Sequence, residues 1–191
     1  MKEFERGSGS AGPSESAESG AVRGAEGPRA KSRSVRVAIV MGSASDRPTM
    51  EAAVTTLREL GVEAEVKVLS AHRTPDALRE WVRGLEPGGV RVVIAAAGGA
   101  AHLAGAVAAH TTLPVIGVPL AAPNAVGGGL DALLSTAQMP RGVPVATVAV
   151  GEPGAANAGI LAAQILATSD ADLAKRVRAH REAMAEKILR G

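Results

Sequence analysis

The chain has 191 residues, a formal net charge of +2 from 21 Lys and Arg against 19 Asp and Glu, and no cysteine. This length suits one domain with a real core, and the lack of cysteine excludes disulfides and thiolate chemistry, so we expect a cytoplasmic protein. The charges are interspersed and Phe4 and Trp81 are the only aromatic residues, which argues against nucleic-acid binding. The apolar runs are too short for a transmembrane helix, so no membrane role is expected.

Residues 1–34 differ in composition from the rest of the chain. They are dominated by Gly, Ser, Ala and Pro with mixed charges, which predicts a disordered tail. The segment lacks the apolar core of a signal peptide, and its glutamates argue against an organellar transit peptide. Residues 35–191 are predicted to form a single folded domain.

Residues 37–46 join the first strongly apolar run to a small, hydroxyl-rich turn. The run of Val, Ile and Ala predicts a strand buried on both faces, as at the centre of a parallel sheet. In the turn, Gly42 allows a sharp change of direction and Asp46 can cap the helix that follows. Ser43 and Ser45 supply hydroxyls, and the free N–H groups of that helix form a natural site for phosphate or carboxylate. A plain helix cap is the alternative.

A second turn follows the next strand. An amphipathic helix at 48–60 and an alternating edge strand at 62–68 lead into residues 70–76. There Thr74 can cap a helix whose first residue is Pro75. That helix is predicted to bury Leu78, Trp81, Val82 and Leu85.

The rest of the chain repeats this alternation. Strands are predicted at 90–95, 115–118 and 145–150, and helices at about 102–110, 130–138 and 155–167. A last helix is opened by Ser169 and Asp172 as a capping pair. It carries a thin stripe of the kind that often packs on a neighbour: Leu173, Val177, His180, Met184 and Ile188.

Strands alternating with helices predict an α/β fold, a three-layer α/β/α sandwich. Its flavodoxin-like parallel sheet has about five strands, and an extended C-terminal helix completes it. In such sheets ligands bind beyond the carboxyl ends of the strands. Residues 43–46, 70–73 and 98–102 follow strands one, two and three, so we expect them at the same edge. Together they predict a crevice for an anionic small molecule.

His72 is the best candidate for acid–base catalysis, because imidazole can give and take a proton near neutral pH. Arg73 beside it suits a phosphate or a carboxylate. The alternative is a histidine that merely caps or solvates a loop. His102 is predicted to line the pocket without being catalytic, and could equally bond a backbone carbonyl, while His110 and His180 are expected to be structural or exposed. No pair of His or carboxylate residues has metal-ligand spacing, so no bound metal is expected.

Five motifs follow one another in order within residues 35–188. They are Met-Gly-Ser-Ala-Ser-Asp at 41–46, Ser-Ala-His-Arg-Thr-Pro at 70–75, Ala-Gly-Gly-Ala-Ala-His-Leu at 97–103, Gln-Met-Pro-Arg-Gly-Val-Pro-Val at 138–145 and Gly-Ala-Ala-Asn-Ala at 154–158. Together they resemble the PurE family, class I, the N5-carboxyaminoimidazole ribonucleotide (N5-CAIR) mutases of purine synthesis. Residues 35–191 would then be one PurE-like catalytic domain.

The resemblance implies an isomerase of IMP biosynthesis that needs no ATP, biotin or metal as cofactor. The carbamate on N5 of the ribonucleotide substrate loses carbon dioxide in a closed pocket, and C4 of the aminoimidazole recaptures it to give 4-carboxy-5-aminoimidazole ribonucleotide (CAIR). His72 would be the general acid/base that brings a proton to N5 and later removes one from C4. Ser43 and Asp46 would hold the ribose phosphate part and Arg73 the phosphate. The implied substrate-binding set is Ser43, Ser45, Asp46, Ser70, Arg73, Gly98, Gly99 and His102.

The resemblance also implies partners. In the family, neighbouring subunits of a homo-octamer complete the crevice, and the 138–142 loop and the terminal helix fit that role here. A separate ATP-dependent N5-CAIR synthetase would supply the substrate.

Three departures from the family pattern affect the site's surroundings. The loop after Pro119 is longer and lacks the usual Gln-Ser pair, and Ala96 and Ala104 stand where glycine and proline are usual. The alternatives are direct carboxylation of aminoimidazole ribonucleotide by carbon dioxide, and a PurE-like carboxylase of nickel-cofactor synthesis. A more distant alternative is a non-catalytic nucleotide-phosphate sensor, which would not need His72.

Overall fold

The computed structural model describes residues 35–123 and 125–191. The disordered tail predicted for residues 1–34 lies outside the described residues. Within the described part of the chain, every helix is too short or too polar to cross a membrane.

Five parallel strands form one sheet in the order β2-β1-β3-β4-β5. Their bounds are β1 Val37–Met41, β2 Ala64–Val68, β3 Val92–Gly98, β4 Val115–Leu120 and β5 Ala146–Thr147. The predicted flavodoxin-like α/β sheet is thereby confirmed, with β2 at an edge as expected. The order reverses direction between β1 and β3, and such a switch point opens a crevice beyond the carboxyl ends of the strands.

Among the described residues, six helices connect and cover the strands. Their bounds are α1 Arg47–Glu59, α2 Pro75–Leu85, α3 Leu103–Ala108, α4 Leu130–Ala137, α5 Glu152–Ala167 and α6 Ala171–Leu189. Two short 3-10 turns, Ala44–Asp46 and Val126–Gly128, precede α1 and α4.

The central strands β1, β3 and β4 are buried on both faces, which explains why they are almost purely apolar, whereas β2 and β5 at the edges are partly exposed. On one face, Ile39 pairs in register with Ile94, and both are fully buried beneath α1, α5 and α6. On the other face, Val40 and Val93 pack with residues of α2 and α3, and Thr136 of α4 lies against Gly117. Burying each such aliphatic side chain contributes roughly 1.5–3 kcal/mol, so this core determines where the strand ends lie.

Trp81 of α2 is only half-buried, although the sequence predicted burial together with Leu78, Val82 and Leu85. Its ring packs beside the second core cluster, and its indole N–H donates to Glu65 at 2.8 Å. A polar partner at the sheet edge keeps the ring there, because the indole N–H needs an acceptor when partly desolvated.

The fifth strand is shorter than the predicted 145–150 and contains only two residues. The segment after β5 stays hydrogen-bonded to β4. The Val148 and Gly151 N–H groups donate to the carbonyls of Gly117 and Pro119, respectively. Pro119 has no N–H to offer in return, and a regular ladder cannot continue past it. β3 instead runs further than predicted, to Gly98, which pairs with Leu120.

The capping pair predicted for α6, Ser169 with Asp172, is wrong. Asp170 is the N-cap, and its carboxylate accepts from the Leu173 N–H at 3.0 Å and from Arg36 at 2.7 Å. The Leu173 amide and then the Arg36 guanidinium lower the pKa of Asp170 below its usual value. The Ser169 hydroxyl donates to a carbonyl of α5 instead. The ion pair with Arg36, far away in the chain, helps to hold Asp170, and not Ser169, at the N-cap.

The apolar stripe of α6 is buried only at its start. Leu173 is fully buried and Val177 packs against the core, whereas the side chains of Met184 and Ile188 are 52% and 79% exposed. The second half of the stripe therefore has no apolar cover within the described part of the chain.

Two glycine substitutions test the packing, because they are expected to change the free energy of unfolding in opposite directions. A Cβ at Gly154, in the first turn of α5, would overlap the backbone oxygen of Ala149, which cannot move without shifting the chain. A Cβ at Gly84, inside α2, would meet nothing within 4 Å. We expect Gly154→Ala to destabilise the fold by about 1–3 kcal/mol and Gly84→Ala to stabilise it by about 0.5–1 kcal/mol.

The measurement is urea unfolding of both variants beside the unmodified chain. Equal midpoints for the two variants would contradict the packing described for the start of α5.

Candidate active site

The three turns predicted to converge do so at the carboxyl ends of β1, β2 and β3. They line a crevice of about 400 Å³. The polar residues lining it are Ser43, Ser45, Asp46, Ser70, His72 and Arg73, and the third turn adds Gly98 and Gly99. His102 is not among the lining residues, but its ring contacts His72.

The first turn folds back on itself through its hydroxyls and carboxylate. The Ser43 backbone N–H donates to Asp46 Oδ2 at 3.0 Å, and the Ser45 hydroxyl donates to Ser43 Oγ at 2.8 Å. Asp46 stands at the N-cap position of α1, as predicted, but its side chain makes no bond to a helix N–H. Pro48 stands at the second position of that helix and has no N–H to donate, so the carboxylate serves the preceding 3-10 turn.

Burial raises the pKa of Asp46 above its usual value. The Ser43 amide, the Ser45 hydroxyl and the charge of Arg73 act in the opposite direction and offset burial only in part. The carboxylate is therefore incompletely stabilised in the crevice. Hydroxyl donors of a ligand would complete its hydrogen bonding.

The second turn is closed by Thr74, which was expected to cap α2. Its side chain makes no such cap. Instead, Thr74 Oγ1 accepts from the Ser70 N–H at 2.9 Å and donates to the Ser70 carbonyl at 3.1 Å. Thr74 does stand at the N-cap with Pro75 as the first helical residue, as predicted. Its hydroxyl makes no capping bond because it closes the preceding turn, which a threonine hydroxyl can do as readily as it can bond a helix amide. The tightened turn contains both His72 and Arg73.

Arg73 joins the second turn to the first. Its Nη2 donates to the Gly42 carbonyl at 2.7 Å, and its Nε donates to Ser70 Oγ at 3.3 Å. A guanidinium has five N–H donors, and these two contacts engage two of them. The side chain is exposed and lines the crevice. It is therefore both anchored and able to bind an anionic group.

His72 joins the second turn to the third. Its Nε2 lies 2.9 Å from Nδ1 of His102, and the two rings meet edge to face at 84°. His102 was expected to line the pocket or bond a backbone carbonyl, and its partner is instead the other imidazole. No third His, Asp or Glu joins them to form a metal-binding group among residues 35–123 and 125–191.

Small residues shape the third wall. A Cβ at Gly98 would stand 3.1 Å from the Leu120 carbonyl and 3.3 Å from Ala122 Cβ, so glycine permits this close approach. Gly99 follows with φ of +60°, a conformation that glycine adopts without strain. Ala122, from the loop after β4, also lines the crevice. Sequence reasoning missed it because alanine carries no chemical signal. Its position after the fourth strand was the available clue.

A larger hollow of about 1030 Å³ lies at the opposite edge of the sheet. Segments that precede β4 and β5 line it, together with Arg83, Glu86 and His110. None of the three turns reaches it. The smaller crevice is the stronger candidate, because it stands beyond the carboxyl strand ends where the polar groups converge.

Comparison with known proteins places the chain among purine-synthesis enzymes. The family model described as AIR carboxylase matches residues 36–187. A protein named N5-carboxyaminoimidazole ribonucleotide mutase from Bacillus subtilis is 53% identical over 153 residues, which cover 80% of this chain and 93% of that protein. One of the same name from Escherichia coli K12 is 52% identical over 154 residues, covering 81% and 90% respectively.

The fold has solved counterparts as well. The crystal structure of Treponema denticola PurE superposes with a TM-score of 0.72 at 29% identity, covering 81% of this chain and 94% of that one. The crystal structure of a PurE2 variant from the same organism gives a TM-score of 0.73, also at 29% identity. The chain therefore belongs to the PurE family, whose family model is described as AIR carboxylase.

Proposed function

We propose that the crevice is the active site of an N5-CAIR mutase, an isomerase of purine biosynthesis that converts N5-CAIR to CAIR. The observation that carries the proposal is the convergence of His72, Arg73 and the Ser43 turn on one crevice in a chain about half identical to proteins of that name.

Arg73 and the first turn bind the ribose phosphate. The guanidinium is fixed by Gly42 and Ser70, so its remaining donors meet phosphate oxygens without first losing much side-chain freedom. Ser43 and Ser45 supply hydroxyls beside it. Asp46, only partly compensated by its neighbours, accepts from the ribose hydroxyls. Ser70 supports Arg73 from the other side.

His72 moves the proton. When the carbamate C–N5 bond breaks, carbon dioxide leaves and the electron pair stays on N5, which takes a proton from His72. The C4 carbon of the electron-rich aminoimidazole then attacks carbon dioxide and forms a C–C bond. His72 removes the proton displaced from C4, so the enzyme returns to its starting state and needs no co-reactant.

The walls retain the released carbon dioxide. Gly98, Gly99 and Ala122 leave no long side chain in that part of the crevice, and confinement next to C4 raises the effective concentration of the gas far above that in solution. The crevice of a single chain is open, so this step calls for neighbouring subunits, supplied in this proposal by a homo-octamer. The exposed apolar half of α6 supports such assembly.

The carbamate comes from an ATP-dependent N5-CAIR synthetase, and both enzymes work in the cytoplasm, in keeping with the lack of cysteine.

Direct carboxylation of aminoimidazole ribonucleotide is the second candidate, and the description of the matching family model as AIR carboxylase favours it. The same proton chemistry at C4 would serve either reaction.

Replacing His72 tests its role as acid and base. We expect His72→Asn to lower kcat about 10²- to 10⁴-fold, because the amide cannot exchange a proton. Product binding, measured by calorimetry with CAIR, should stay within a few-fold. His110→Asn, beyond the far end of α3, is the matched control and should retain full turnover. Near-normal turnover by His72→Asn would refute the proposed mechanism.

The size of the assembly tests the oligomer. Light scattering should give a mass well above that of a dimer, and Met184→Glu with Ile188→Glu should shift it downward, because both apolar side chains would lie in an interface. Glu182→Gln, at an exposed position of the same helix, should leave the mass unchanged. A monomeric mass for the unmodified chain would contradict the completed crevice.

A further inference from the structure

The contact between His72 and His102 is a feature of the crevice that the proposed reaction does not by itself require. His72 Nε2 and His102 Nδ1 are 2.9 Å apart, a distance at which one nitrogen donates a proton and the other accepts it. The rings come from different turns, after β2 and after β3, and are edge to face, so the contact is not ring stacking.

We propose that His102 is the positioning residue for His72, holding its imidazole in place and fixing which ring nitrogen exchanges the proton with substrate. The inference rests on the proposed mutase function. In this arrangement Nε2 of His72 keeps its proton and donates to His102. Nδ1 of His72 is then the nitrogen left to serve N5 and C4.

The hydrogen bond from His72 to His102 can persist through the whole catalytic cycle. When His72 carries two protons, Nε2–H donates to His102 and Nδ1–H is ready for N5. After transfer, the neutral ring keeps the proton on Nε2, and Nδ1 has the lone pair that C4 requires. His102 neither gains nor loses a proton. A hydrogen-bond acceptor that holds one nitrogen of a catalytic imidazole fixes the tautomer of that ring. Losing such an acceptor removes a large part of the rate acceleration that comes from acid–base catalysis.

The other charged groups that line the crevice do not take over this task. Arg73 donates to Gly42 and Ser70, and Asp46 accepts from Ser43.

His102 stands at the N-cap of α3 but makes no capping bond with its side chain. Its replacement therefore removes the contact to His72 without removing a helix cap. His102→Asn keeps an acceptor oxygen near the place of Nδ1, whereas His102→Leu has similar bulk and no acceptor. The two variants separate the hydrogen bond from simple space filling.

The experiment compares kcat and KM for N5-CAIR in the unmodified chain, His102→Leu, His102→Asn, His72→Asn and the double variant His72→Asn/His102→Leu. We expect His102→Leu to lower kcat about 10- to 100-fold with KM changed less than about threefold, and His102→Asn to restore most of the loss. The double variant should be no slower than His72→Asn alone, because His102 acts through His72.

Three results would overturn the inference. They are a His102→Leu kcat within about twofold of the unmodified chain, equal losses in the Leu and Asn variants, or a change confined to KM, which would make His102 a substrate-binding residue. Turnover by the unmodified chain is the reference throughout. Failure of the proposed function would appear there, whereas failure of this inference appears only among the variants.

Discussion

The hydrogen-bonded pairing of β1 with β3 is the constraint on which the site depends. These two parallel strands are buried on both faces and lie in register from Val37 with Val92 to Met41 with Ala96. Their carboxyl ends stop side by side, and the chain leaves β1 toward one face of the sheet and β3 toward the other. A gap opens between the two turns, and the turn after β2 closes its third side.

Two side-chain contacts turn this gap into an organised site. Arg73 reaches from the second turn to the Gly42 carbonyl of the first, and His72 reaches to His102 beside the third. The two residues proposed to bind phosphate and move the proton are thus each held by a different neighbouring turn. Such preorganisation matters because a reaction that consists of releasing and recapturing one small molecule depends on position more than on strong chemistry.

Much of this arrangement could be predicted from the sequence. Short apolar runs alternating with amphipathic helices indicated the parallel sheet, and the rule on strand ends placed the three turns together. The local predictions that proved wrong concern side chains for which two hydrogen-bond partners compete. Asp46 and Thr74 each had a choice between a helix amide and a nearby turn, and such bonds differ by about 1 kcal/mol or less. The cap of α6 depended on Arg36, 134 residues away in the chain, and the short fifth strand on a proline in the strand beside it.

The contact between His72 and His102 lay beyond sequence reasoning for a related reason. It joins residues 30 positions apart and needs both turns in their final geometry. Ala122 was missed because nothing in its chemistry marks it, although the loop that carries it packs closely against Gly98 in the third wall. Sequence patterns thus located the site, while the contacts that orient its side chains required the folded chain.

The central claim is that the crevice moves a carboxylate from N5 to C4 and does not capture carbon dioxide from solution. The most direct measurement compares freshly prepared N5-CAIR with aminoimidazole ribonucleotide plus bicarbonate as substrates of the purified protein, both without ATP. We expect rapid conversion of N5-CAIR at low bicarbonate and poor use of the second mixture. Efficient carboxylation at modest carbon dioxide, with N5-CAIR left unchanged, would contradict it.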